Sequence, residues 1–125
     1  MKGLDWLLVG VGGGVGSVLR YVVARAVQER PAVTWPYGTL GVNVVGCFVI
    51  GVLLALAARN RLGAEWQLLL ATGVCGGFTT FSTFSWEALA LLRAGQAGPA
   101  LLYIGASLAL GLAATAGGVW LGRWL

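Results

Sequence analysis

The run GVCGGFTTFSTFSWE, Gly73 to Glu87, decides how this chain is read. It sits in a stretch apolar enough to cross a bilayer. Yet it sets two adjacent glycines beside five hydroxyl residues, Thr79, Thr80, Ser82, Thr83 and Ser85. A glycine pair weakens a helix. Backbone groups freed at membrane depth are tolerated only where protein buries them or where they line a polar cavity. The run therefore reads as a membrane helix broken near residues 75–80, with Gly76 to Thr79 making the break. Hydroxyls that satisfy the carbonyls of their own helix account for one or two of the five. Five beside a break point to a polar route. Carbonyls unwound there can also hold a cation, as broken helices do in transporters.

Working outward, the rest of the chain supports a membrane setting. Of 125 residues, 58% are hydrophobic and 10% charged, against about 25% charged in a soluble domain. A span needs about 20 mainly apolar residues, so four spans with short loops fill the length and leave no room for a large extramembrane domain. The expectation is an all-α integral membrane protein with a single transmembrane domain, 1–125. Its four helices are placed over about 4–27, 38–58, 66–92 and 100–121, the third broken near its middle. Glu29, Arg30 and Pro31 close the first. Met1-Lys2 and the apolar run after it resemble the start of a signal peptide, but residues 4–24 exceed a signal core and are read as a retained first helix. Trp6, Trp35, Trp66, Trp120 and Trp124 fall near segment ends, where an interfacial belt places them.

Several functions are excluded. The net charge is +4, but the basic residues are scattered near segment ends with no recognition motif, so nucleic acid is not a partner. There is no histidine, and Cys47 and Cys75 read as thiols packed like small hydrophobes. Gly10 to Ser17, GVGGGVGS, lacks the lysine of a phosphate loop. No nucleophile–base pair is available, so the chain is not read as an enzyme. Gly10 and Gly14, Gly12 and Gly16, and Gly118 and Gly122 are each four apart. Each pair lies on one helix face and permits close helix packing in lipid.

Four spans put both termini on one side, with Lys2, Arg59, Arg61 and Arg123. The other side carries Arg25, Arg30 and Arg93, with Arg20 if it snorkels that way. Orientation follows the Lys/Arg excess, and here there is almost none. Insertion both ways round, and with it an antiparallel homodimer, is expected.

The polar residues within the spans form a candidate ion path. Phe81 and Phe84 are three apart and share a helix face. They serve either as packing or as ring edges, which carry partial positive charge toward a small anion. Tyr103, Ser107, Gly111 and Thr115 follow at intervals of four on the last segment. Their hydroxyls are hydrogen-bond donors, with Gly111 interrupting the stripe. Asn43 adds an amide donor, and Arg20 a positive charge in or near the bilayer. Glu87 lies either at the interface or at a pore mouth. The excess of donors favours an anion over a cation.

Three stretches resemble the CrcB/Fluc fluoride channels: GGGVGSVLRY (Gly12 to Tyr21), YGTLGVNVVGCFVIG (Tyr37 to Gly51) and GVCGGFTTFSTFSWE. The resemblance implies a dual-topology homodimer in the cell (inner) membrane with two pores that export fluoride passively. By the same resemblance Phe81, Phe84 and Asn43 line the fluoride path. Thr80, Ser82 and Thr83 lie in the hydroxyl-rich stretch beside it, and Tyr103 and Ser107 form a polar track. The carbonyls of Gly76 and Thr79 match positions that hold a structural sodium ion at the dimer interface. Arg20 and Glu87 match without an assigned role. A small proton-coupled multidrug exporter is the alternative. It calls for a membrane-embedded acid early in the chain, and Asp5 lies too close to the N-terminus.

Overall fold

Four apolar runs become four long helical spans because a backbone in lipid must satisfy its own N–H and C=O groups. The computed structural model describes residues 2–29 and 35–125. Arg30 and Pro31, expected to close the first span, lie outside the described residues. Helix α1 is Gly3–Gln28 and α2 is Tyr37–Ala58. Helix α3, residues 64–78, begins as Ala64–Trp66, winds as a π-helix over Gln67–Cys75 and ends as Gly76–Phe78. After a break, α4 is Phe81–Arg93, and α5 is Ala97–Trp124. These bounds differ from the sequence expectation by a turn or less. All four spans are long and apolar enough to cross a membrane.

The break lies later than the glycines suggest. Gly76 and Gly77 are helical; the chain extends at Thr79 (φ −81°, ψ 156°) and Thr80 (φ −150°, ψ 116°). The glycines serve helix contact instead. A methyl at Gly77 would strike the Gly13 carbonyl of α1, one at Gly16 the Val74 carbonyl of α3, and one at Gly12 the Leu69 carbonyl. Close backbone approach of this kind holds helices together in lipid. Gly118 and Gly122 do the same between α5 and α2, where a methyl would meet the Phe48 carbonyl and the Ala55 side chain. Gly10 and Gly14, expected to pack likewise, face open space in this chain.

Two tight turns set the antiparallel neighbours. At the end of α2, Arg61 N–H bonds Leu56 C=O and Asn60 N–H bonds Ala57 C=O. At the end of α4, Gln96 N–H bonds Leu91 C=O and Gly95 N–H bonds Leu92 C=O. This pattern needs a left-handed residue after the helix, supplied by Asn60 (φ 54°) and Gly95 (φ 76°). Arg59 then donates to the Gly122 and Arg123 carbonyls in the last turn of α5, and Arg61 to the carbonyl of Leu125 just after it. Cations belong at that end of a helix dipole.

Candidate functional site

The break is held open by a side chain from another helix. Asn43 of α2 accepts the Thr80 N–H at its Oδ1 (2.8 Å) and donates from Nδ2 to the Thr80 carbonyl (3.0 Å). That N–H would otherwise reach back to Gly76 C=O. Thr80 then caps α4, its Oγ1 accepting the Thr83 N–H at 3.1 Å. A threonine at this position serves the unpaired first-turn donors of a helix. The same bond diverts the donor that a continuous helix would give to Thr79 C=O. Gly77 C=O, which has lost the Phe81 N–H, accepts Arg20 Nε of α1 at 3.0 Å. Side chains of α1 and α2, with that of Thr80 itself, thus give new partners to the Thr80 N–H and C=O, the Thr83 N–H and the Gly77 C=O. Arg20 reaches the break rather than snorkelling away, and the carbonyls of Gly76 and Thr79 are without their helical donors.

Two cavities flank this point. The central one, about 310 Å³, is lined by Asn43, Cys47, Gly76, Thr79, Thr80, Phe81, Phe84, Ser107 and Gly111 among others. The second, about 270 Å³, has Arg20, Arg25, Thr39, Thr80, Thr83 and Glu87 in a wall shared with apolar residues such as Ala24 and Val42. Thr80 lies in the wall of both. The Phe81 and Phe84 ring centroids are 5.6 Å apart, and Phe84 lies 5.1 Å from Tyr103. Phe81 is 78% exposed on the single chain.

The hydroxyls divide into occupied and free. Thr79 Oγ1 donates to Cys75 C=O, Ser85 Oγ to Phe81 C=O and Thr115 Oγ1 to Gly111 C=O, all within their own span. Ser82 lies 3.3 Å from Thr80 Oγ1. Tyr103, fully buried, donates to Glu87 Oε2 at 2.9 Å, and Thr39 to Glu87 Oε1 at 2.8 Å. The stripe of donors expected on the last segment is therefore mostly committed. Ser107 Oγ alone is buried with no partner among the described residues, and it lies in the wall of the central cavity. Asn43 also keeps one amide hydrogen there, since an amide nitrogen carries two.

Thr39 is the site residue the sequence reading passed over. It stands four before Asn43, as Asn43 stands four before Cys47, and this spacing puts all three on one face of α2. Glu87 resolves as a brace within the protein, joining α2, α4 and α5 through its two oxygens.

Four spans long enough to cross a membrane, the third broken beside a cavity that Phe81, Phe84, Asn43 and Ser107 line, define a polytopic membrane protein. The profile of the family described as "CrcB-like protein, Camphor Resistance (CrcB)" matches residues 7–119. A protein of Acidobacterium capsulatum is 46% identical over 120 residues, covering 95% of this chain and 93% of its own. One of Thermus thermophilus is 50% identical over 107 residues, with 86% of each chain covered. One of Phocaeicola vulgatus is 44% identical over 125 residues, covering 100% of this chain and 98% of its own. Each of the three is named a fluoride-specific ion channel, FluC. This chain belongs to the CrcB-like family.

Proposed function

We propose that this protein is a fluoride-specific channel of the cell (inner) membrane, letting fluoride leave the cytoplasm down its gradient. The single observation that carries the reading beyond the names of its relatives is the central cavity. There the unpartnered Ser107 hydroxyl, the spare Asn43 amide hydrogen and the Phe81 and Phe84 rings surround one space. A fluoride ion gives up water only where donors replace it. Hydroxyl and amide hydrogens do so directly, and ring edges add weaker positive potential. Glu87 does not face the ion as a bare acid, because Thr39 and Tyr103 donate to both its oxygens. Arg20 brings positive charge to the second cavity and steers anions inward.

The working unit is an antiparallel homodimer. In support, the central cavity carries polar groups on the surface of a single chain, and lipid does not cover such groups without cost. Gly10 and Gly14 leave a small-residue face open on α1. The carbonyls of Gly76 and Thr79 would hold a structural sodium ion at the dimer interface. Both carbonyls have lost their helical donors, and no cluster of three or more His, Cys, Asp or Glu side chains exists among the described residues. A donor set of carbonyl oxygens suits a hard cation. When bound, the ion would neutralise these dipoles and tie the two breaks together. No acid offers itself for proton-coupled exchange of cationic drugs, so the exporter reading is not favoured.

Fluoride release from vesicles holding the purified protein tests the channel; vesicles that keep their fluoride refute it. A C-terminal tag found on both sides of the membrane supports dual topology, and a tag on one side only refutes it. Replacing sodium by a large organic cation should lower the midpoint of thermal unfolding. An unchanged midpoint counts against the ion.

A further inference from the structure

Trp35 differs from the other tryptophans near span ends. Trp6, Trp66, Trp120 and Trp124 are exposed, as an interfacial belt requires. Trp35 is half-buried, and its indole N–H donates to the Pro99 carbonyl at 3.1 Å. Its ring meets Tyr37 edge-on at 4.7 Å and Tyr103 edge-on at 5.3 Å. From Tyr103 the contacts continue to Phe84 at 5.1 Å, and from Phe84 to Phe81 at 5.6 Å. A chain of rings therefore runs from the start of α2 to the break. Tyr103 is pinned at its hydroxyl by Glu87 and braced on its ring by Trp35. Aromatic pairs hold preferred tilts, so the brace on one ring constrains the next.

We infer that Trp35 is a positioning residue for the ion path, fixing the tilt of the Tyr103 ring and through it that of Phe84. Its effect on flux rests on the channel reading above; the ring contacts do not.

The test uses the full chain with 4-fluorophenylalanine at Phe84. In Trp35→Ala the fluorine resonance should move, and in Trp35→Phe, which keeps a ring, it should return most of the way. Fluoride release should fall about two- to tenfold in Trp35→Ala, the range an aromatic contact supports. In a Tyr103→Ala background the same change should add nothing, because residues that act through one another are not additive. Trp35→Leu, which keeps apolar bulk without a ring, is read the same way if Trp35→Ala does not fold. An unmoved resonance, or an equal loss of flux in both backgrounds, overturns the inference. If the wild-type protein releases no fluoride, the channel reading fails by itself, and the resonance alone then decides whether Trp35 holds Phe84.

Discussion

The glycine seam between α1 and α3 and the extended pair Thr79–Thr80 lie side by side and do opposite things. At the seam, Gly12, Gly16 and Gly77 let two helical backbones touch. One turn later the backbone gives up its own bonds, and Asn43 and Arg20 take their place. Rigidity comes from the residues that looked permissive, and polar backbone is exposed where threonines stand. The seam fixes where the break sits; the break supplies the chemistry. Gly16→Val, which drives a side chain into the Val74 carbonyl, should have the largest effect. Overpacking costs about 3 kcal/mol or more where backbone is the obstacle, and thermal unfolding in detergent should show little folded protein.

Asn43→Ala attacks the break instead. It removes a donor and an acceptor at once and leaves the Thr80 N–H and C=O unpaired, at about 1–3 kcal/mol each. The protein should still fold with a lowered midpoint, while fluoride release falls at least about tenfold. Equal losses in Asn43→Ala and Gly16→Val would erase the distinction between seam and break. Phe84→Ala comes next: it should slow release without preventing assembly, as read by size-exclusion chromatography and flux on one sample. Ser107→Ala should be smallest in stability, within about 0.5 kcal/mol, because its hydroxyl has no protein partner to lose. Slower release at unchanged stability would sharpen the assignment of Ser107 to the path. Unchanged release would remove it.

Much of this was legible in the sequence. The four spans follow from apolar length, and Phe81, Phe84, Asn43 and Ser107 were singled out from residue type and spacing, then found around one cavity. The break falls at Thr79–Thr80, inside the expected 75–80 window, but the residues that make it were not legible. Glycine propensity points to Gly76 and Gly77, but a neighbouring backbone holds these two helical, and Asn43 on another helix opens the chain at Thr80. The π-winding of Gln67–Cys75 leaves no residue pattern of its own. The sequence leaves Glu87 open between the interface and a pore mouth because its partners, Thr39 and Tyr103, are 48 and 16 residues away. Trp35 looked like a belt residue because spacing says nothing about which way a loop turns.

The central claim is that free donors and ring edges beside the break select a small anion. Parallel release of fluoride and chloride from vesicles of one composition tests it most directly. Fluoride should empty from every vesicle holding the protein while chloride stays inside. Chloride leaving as fast as fluoride, or neither leaving, would contradict the account.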